Sequence, residues 1–262
     1  MTAPAATPGT ALQLAGSPYE RGRAQAQGDA PAAEVGATVS ARLDAARAEG
    51  LLDDAGRRFL DNQRSFSERA CPDAMSELSG IAAGFGLSED DLFAHLHLGI
   101  LGDLARGRRG DHDGCSAWAV DRGPDGPLVV KNRDFSGRHA GIQRVFRHEG
   151  PDLDHGPLLC IGSLGAPGAY SSGMNAAGLA VVDTQVGVRT HRTGWLRYFL
   201  MNRILASCPP VDEAVAFGRW AQTSFADRSD QLDLARGQWR QVKVGTGRAV
   251  MISGEPGIGK SR

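Results

Sequence analysis

The sequence predicts an α+β protein in which helices come first, a β-rich middle follows and helices return near the end. Three observations predict this order. Helical periodicity dominates up to about residue 108, short β-rich runs separated by turn residues begin at Cys115, and helical patterns return at residues 196–206 and 211–221. Such an order stacks in α, β, β, α layers if the strands form two sheets.

Start signals mark the helices of the first part. Ser17-Pro18-Tyr19-Glu20 is a capping box with proline at the first helical position. Residues 32–48 and 51–69 have apolar side chains at helical spacing, and Pro72 begins another helix. Residues 88–91 cap a further helix, whose apolar positions are Leu92, Phe93, Leu96, Ile100 and Leu101. The first part is therefore expected to form a helical layer.

The β-rich middle begins with a hairpin. Residues 116–121 and 128–132 are short, apolar and β-rich, and the turn cluster 122–126 separates them. Further strands are expected at residues 142–146, 158–162 and 179–186, the last entered through a turn at 173–178, and later in the tail at 249–252. Cys115 directly precedes the first predicted strand of this hairpin.

Bulk composition narrows the function classes. The chain has 262 residues, 41% hydrophobic and 23% charged, which suits a soluble globular protein. A formal net charge of -1 recommends neither nucleic acid nor an anionic membrane as partner, so we expect a small, near-neutral substrate. The N-terminus has no basic segment followed by an apolar run, and no stretch is apolar enough to span a bilayer. These features predict a cytoplasmic protein.

The four cysteines have no Cys-x-x-Cys spacing, which argues against a zinc site or a disulfide framework. Cys71, Cys160 and Cys208 stand in apolar or helix-start contexts typical of buried structural residues. Only Cys115 has unusual neighbours, in Asp113-Gly114-Cys115-Ser116. It is the candidate nucleophile.

Cys115 could activate itself if Gly114 were cut away. A thiol needs a base or an electropositive setting, and a new α-amino group on the same residue is a base that titrates near neutral pH. This N-terminal-nucleophile strategy needs no histidine nearby in sequence. Gly114 suits the scissile position because a residue without Cβ tolerates a strained peptide.

Asp134 is the candidate second catalytic residue. It ends Lys131-Asn132-Arg133-Asp134, and the hairpin turn folds that end back toward Cys115. Its carboxylate could hold the new ammonium or orient the thiol. The alternative is a strand-end charge that meets Arg133 or Lys131, worth about 1 kcal/mol or less if exposed.

Several of these motifs together resemble one family. In order along residues 12–222 they are Gly16-Ser17-Pro18-Tyr19-Glu20-Arg21-Gly22, Pro72-Asp73-Ala74-Met75-Ser76-Glu77-Leu78-Ser79-Gly80-Ile81-Ala82, Asp113-Gly114-Cys115-Ser116, Asn132-Arg133-Asp134 and Gly173-Met174-Asn175-Ala176-Ala177-Gly178-Leu179. This series resembles the acyl-coenzyme A:isopenicillin N acyltransferase-like peptidases, which are N-terminal nucleophile hydrolases.

The resemblance implies an αββα fold, autocleavage between Gly114 and Cys115, a Cys115 nucleophile and a supporting carboxylate at Asp134. The implied reactions are amide hydrolysis and acyl transfer to an amine, on a small amide, peptide or acyl-thioester, with no metal or organic cofactor. Residues 1–114 would be a helical pro-segment or α-chain that stays associated with a nucleophile-bearing β-chain, residues 115–227. The β-chain is expected to be truncated, because Phe225 onward does not resemble the family's continuation.

The tail, residues 228–262, has a different character. Gly254, Gly259, Lys260 and Ser261 complete a phosphate-loop pattern behind the strand expected at 249–252 and resemble the start of a regulatory ATPase module. The sequence has no room for the helix that completes such a site, so we expect a vestigial nucleotide site. The tail and the truncation leave two alternatives to an active enzyme: a non-catalytic scaffold and a fragment of an ATP-binding protein.

Metal binding is not expected elsewhere. His95 and His97 alternate on a helix and lack the i, i+4 spacing of a helical metal pair. Asp111-His112-Asp113 could ligate a cation, but beside Gly114 it also fits an exposed, cleavable linker.

Overall fold

A computed structural model describes residues 11–106, 115–123, 126–132, 137–169, 171–183, 191–209, 211–223 and 249–252. The helices are α1 (Pro18–Ala24), α2 (Ala32–Ala48), α3 (Asp54–Ala70), α4 (Pro72–Phe85), α5 (Glu89–Arg106), α6 (Arg197–Ser207) and α7 (Val211–Thr223). The strands are β1 (Leu12–Ala15), β2 (Ser116–Gly123), β3 (Gly126–Asn132), β4 (Gln143–Glu149), β5 (Leu158–Ser163), β6 (Ser172–Asn175), β7 (Ala180–Asp183) and β8 (Ala249–Ile252). The α+β class is confirmed.

The helix starts follow the expected chemistry. At α1 the backbone N–H of Ser17 donates to the Glu20 carboxylate at 2.7 Å, and the Glu20 N–H donates back to the Ser17 hydroxyl at 3.4 Å. Helix α4 begins at Pro72 and ends at Gly86, whose φ of 65° is the left-handed conformation that glycine adopts without strain. Both predicted helix starts are confirmed.

Helices α1 and α4 cross at very short range because glycines line their contact. A Cβ placed on Gly22 would overlap the backbone carbonyl of Glu77, and one placed on Gly80 would overlap the carbonyl of Tyr19. The two backbones therefore occupy space that any larger residue would need.

The strands form two sheets. The larger has the order β1-β4-β5-β6-β7-β8, antiparallel from β4 to β7, with β1 parallel to β4 and β8 parallel to β7. The smaller is the β2–β3 hairpin, which lies against β7 and β8. The predicted strand at 249–252 is confirmed, and it joins the same sheet as β7. The expected turn at 173–178 was wrong in its first half, because residues up to Asn175 form β6.

The large sheet is buried on one face only. The pair Phe146–Cys160 points into a core cluster that helix α6 completes with Leu200 and Leu205. Antiparallel partners share a face, so the neighbouring pairs Val145–Ile161 and Leu159–Met174 lie on the other face, where all four side chains are exposed. A second core cluster joins helices α2 to α5. Among the described helices, none is long and apolar enough to cross a membrane.

The α1–α4 crossing gives a test of the packing. Gly80→Ala should lower the free energy of unfolding by roughly 1 to 3 kcal/mol or more, because the new methyl group meets a backbone carbonyl that cannot move away. Gly99→Ala in α5 is the matched control: nothing lies within 4 Å of its would-be Cβ, so the change should stabilise by about 1 kcal/mol. Urea unfolding of both variants measures the difference, and equal effects would contradict the close crossing.

Candidate functional site

Cys115 stands at the entrance of the hairpin, half-buried and with a free thiol. Strand register pairs Ser116 with Asn132 and Ala117 with Lys131. Side chains alternate along a strand, so Cys115 and Ala117 share a face with Lys131. The opposite face is open to solvent, with Trp118 exposed to 49% of its surface. The face that carries the thiol is the one that meets the rest of the molecule.

Lys131 reaches from that face to the end of β7. Its ammonium donates to the Asp183 carboxylate and, at 3.4 Å, to the backbone carbonyl of Ser171. The Lys131 side chain is 7% exposed and that of Asp183 is 4% exposed, so the ion pair is shielded from water. Inside the molecule such a pair interacts much more strongly than it would at the surface. It ties the hairpin to the six-stranded sheet.

Asp183 holds a second cation. Its other carboxylate oxygen lies 2.8 Å from the Nε of Arg197, the first residue of α6. Arg197 also donates to the Tyr198 hydroxyl at 2.7 Å and lies over the Tyr198 ring. One buried carboxylate thus links the hairpin, the end of β7 and the start of α6.

Buried side chains hold the loop at residues 164–169, which leads from β5 toward Ser171. The side-chain amide of Gln25 bonds two backbone groups of this loop at 3.0 and 3.1 Å. The Glu77 carboxylate accepts from the Gly168 N–H at 3.0 Å, and the Asn202 side chain accepts from the Ala169 N–H. With these backbone groups bonded, the loop acts as a fixed support for Ser171.

Glu77 has a carboxyl pKa well above the ordinary value. Burial raises the pKa of its carboxyl to about 7, although Arg21 and the Gly168 N–H act in the opposite direction. Arg21 directs its guanidinium to Asp152, with two hydrogen bonds of 2.6 and 2.7 Å. His148 lies 3.9 Å from Glu77, but burial lowers its pKa to about 3, so the pair is not an ion pair at neutral pH.

The remaining cysteines and the helical histidines behave as structural residues. Cys71, Cys160 and Cys208 are buried, and burial raises the pKa of each thiol, that of Cys71 to about 12. Burial lowers the pKa of His95 to about 3 and that of His97 to about 4. In the described part of the chain, no three His, Cys, Asp or Glu side chains are grouped to hold a metal ion.

Of the predicted site residues, the structure places Cys115. Gly114, Asp134, Asp111-His112-Asp113 and the phosphate-loop residues Gly254, Gly259, Lys260 and Ser261 lie outside the described residues. The sequence interpretation missed Asp183 and Arg197. The one local signal was a carboxylate directly after the apolar run Leu179–Val182, a position where a buried charge needs a partner.

Comparison with known proteins adds one match. Residues 121–224 match the family model described as acyl-coenzyme A:6-aminopenicillanic acid acyl-transferase. The matched segment begins after Cys115 and includes Lys131, Asp183 and Arg197. No curated protein matches the chain. The similarity supports acyltransferase-like ancestry for this segment.

The Glu77 environment predicts a pH-dependent stability. Because its folded pKa of about 7 is above the ordinary value of 4.5, the folded state binds a proton that the unfolded state has released between these values. This group alone therefore lowers the free energy of unfolding as pH rises from 4.5 to about 7, by at most about 3 kcal/mol, whereas the lowered pKa values of the buried His95, His97 and His148 raise it over much of the same range. Glu77→Gln should remove the Glu77 contribution, so urea unfolding should show a steeper rise of stability with pH in this variant than in the wild type. Glu34→Gln, at an exposed position, should keep the wild-type pH dependence; if Glu77→Gln keeps it too, the assignment fails.

Proposed function

We propose that the protein is a self-processing cysteine amidohydrolase or acyltransferase of the N-terminal nucleophile type. Cys115 is the nucleophile and the Gly114–Cys115 bond is the site of autocleavage. The observation that carries the proposal is the position of Cys115: half-buried at the start of a strand, on the hairpin face shared with a buried ammonium. The similarity over residues 121–224 gives independent support.

The proposed autocleavage uses the Cys115 thiol. The Cys115 sulfur attacks the carbonyl carbon of Gly114; the C–S bond forms, the C–N bond breaks, and the thiol proton passes to the leaving nitrogen. Water then hydrolyses the thioester, which frees the Gly114 carboxylate and regenerates the thiol. The new α-amine of Cys115 becomes the general base for the next reaction.

Turnover repeats the same chemistry on a substrate. The α-amine takes the thiol proton as sulfur attacks the acyl carbon, and then gives it to the leaving group. The acyl-enzyme is released to water in hydrolysis or to an amine in transfer. The matched family's name describes transfer from acyl-coenzyme A to 6-aminopenicillanic acid, so an acyl-thioester donor and an amine acceptor belong to the substrate class, with small amides and peptides.

Lys131 supplies charge close to the reaction. Diagonal cross-strand neighbours on one face have Cα atoms about 7 to 8 Å apart, which a lysine side chain spans. Its ammonium has three N–H groups, and Asp183 and Ser171 accept two of them. We propose that the third, for which no acceptor lies among the described residues, donates to the oxygen that gains negative charge when sulfur attacks, a contact that commonly contributes several kcal/mol to catalysis.

Asp134 completes the proposed machinery. It follows Asn132 by two residues, and two residues of chain span at most about 7 Å. Asn132 pairs with Ser116, next to Cys115. The carboxylate of Asp134 can therefore reach the ammonium formed at Cys115 and hold it toward the thiol.

The two cleavage products are expected to stay together. Strand β1 pairs with β4, Arg21 bonds Asp152, and Gln25 and Glu77 hold the loop at residues 164–169. Each of these contacts joins residues on opposite sides of the Gly114–Cys115 bond.

Intact-mass spectrometry of the purified protein tests autocleavage. We expect two fragments, the second starting at Cys115, because the nucleophile needs a free α-amine. Cys115→Ala should remain one chain, whereas Cys208→Ala, at a buried structural cysteine, should be cleaved like the wild type. A wild-type chain that stays whole would overturn the proposed reaction, and cleavage of Cys115→Ala at the same bond would point to an outside protease.

A second variant tests the carboxylate. Asp134→Asn should slow the acyl-transfer or hydrolysis rate by roughly 10²-fold or more, because the amide cannot hold the ammonium by charge. Asp212→Asn, at an exposed position in α7, is the control and should leave the rate unchanged. Equal rates for both variants would remove Asp134 from the mechanism.

The two alternatives give different results in the same preparation. A non-catalytic scaffold predicts no cleavage and no reaction of Cys115 with acyl-thioesters. An ATP-binding fragment predicts saturable binding of ATP, which calorimetric titration detects and which Lys260→Ala would abolish.

A further inference from the structure

We propose that Asp183 is a positioning residue of the active site: it fixes the Lys131 ammonium on the hairpin face that carries Cys115. The inference rests on the proposed function and goes beyond it, since it assigns a role to a residue that acts through another side chain. It is drawn from the contacts of Asp183 with Lys131 and Arg197.

The two carboxylate oxygens of Asp183 have separate partners. One accepts from Lys131 and the other lies 2.8 Å from Arg197 at the start of α6. The carboxylate is therefore held from two sides and cannot rotate without losing one ion pair. Lys131 is confined in turn, because Ser171 also accepts from it.

The hairpin needs this restraint more than other elements do. An isolated two-stranded hairpin is marginally stable in water. Its outer face leaves Trp118 and Leu128 exposed, at 49% and 50% of their surfaces, so packing on that side is weak. Contacts of the inner face must therefore hold the hairpin against the six-stranded sheet. The Lys131–Asp183 ion pair is a buried contact that joins the hairpin to that sheet.

A purely stabilising role explains the cluster poorly. Replacing buried ion pairs by apolar side chains is commonly neutral or stabilising, because desolvation offsets most of the attraction between the charges. Here one carboxylate fixes an ammonium on the hairpin face that carries Cys115. A fixed positive charge suits a site where a carbonyl oxygen becomes negative.

The loss of Asp183 should act through Lys131. With asparagine at position 183 the ammonium loses its anionic partner, and hydration in solvent becomes preferable to a buried, unpaired charge. Lys131 would then turn away from the Cys115 face. The reaction would lose its donor although Cys115 itself is unchanged.

The experiment compares autocleavage rates of purified precursor at a temperature where all variants are folded by circular dichroism. Asp183→Asn should slow cleavage by roughly 10- to 100-fold, and Asp183→Glu should restore part of the rate by restoring the charge. Asp152→Asn is the matched control: it breaks the Arg21–Asp152 ion pair, which is partly buried, and should lower thermal stability while the cleavage rate stays within about twofold.

A double-mutant cycle separates positioning from general destabilisation. If Asp183 acts through Lys131, Asp183→Asn should slow cleavage no further in a Lys131→Met background, whereas additive effects would overturn the proposal. A rate for Asp183→Asn that matches the wild type, or that falls only as much as in Asp152→Asn, would also overturn it.

A second readout keeps the two proposals distinguishable. Hydrogen exchange of amides in residues 116–123 and 126–132 reports how firmly the hairpin is held, whether or not the chain cleaves. If the wild type does not cleave, the proposed function fails, and the anchoring by Asp183 is judged on exchange alone. Faster hairpin exchange in Asp183→Asn and in Lys131→Met, with no further increase in the double variant, supports it; unchanged exchange overturns it.

Discussion

The buried carboxylate of Asp183 is the contact on which the arrangement of the site depends. The hairpin with Cys115, the end of β7 and the start of α6 are distant in sequence and have no covalent reason to meet. Asp183 joins them because a carboxylate removed from water needs cations, and among the described residues it contacts Lys131 and Arg197. A different placement of these elements would leave a buried charge without its partner, so the observed placement has the lowest free energy.

A second network, formed by Arg21, Asp152 and Glu77, supports the loop that leads to Ser171. Arg21 commits its guanidinium to Asp152 and to the carbonyl of Gly16. Glu77 therefore receives only attraction at longer range from Arg21, which does not offset its burial, and its pKa stays near 7. Its hydrogen bond to the Gly168 N–H holds the loop before Ser171 whether the carboxyl is charged or neutral, since an oxygen of either form accepts. The loop is thus held in both charge states, although the bond is stronger to the charged carboxylate, since the Gly168 N–H lowers the pKa of Glu77.

The sequence predicted the features that depend on neighbouring residues. The capping box at Ser17, the start of α4 at Pro72 and the hairpin beginning at Cys115 follow from local chemistry, and the structure has all three. Strands β1 and β6 were missed because neither is a β-rich apolar run, and each becomes a strand only by pairing with partners formed elsewhere.

The same reason explains why the site was predicted only in part. The Cys115 environment is unusual within a few residues of sequence, so local reasoning can select it as a candidate. The partners of Asp183 lie 52 residues before it and at the start of a later helix, and only the folded topology brings them together. The sequence also does not show that Gly22 and Gly80 lie against another backbone, because that contact depends on which helix packs opposite each glycine.

The distribution of the core favours one of two interpretations of residues 1–114, a permanent chain over a removable pro-segment. Leu14 and Val35 from that part belong to the same core cluster as Phe146 and Leu200. Each large aliphatic side chain that is re-exposed costs roughly 1.5 to 3 kcal/mol, so releasing the segment would uncover the buried face of the sheet at a cost comparable to total stability. The proposed cut at Gly114 would therefore leave two chains that stay folded together, and the first would remain a structural part of the molecule.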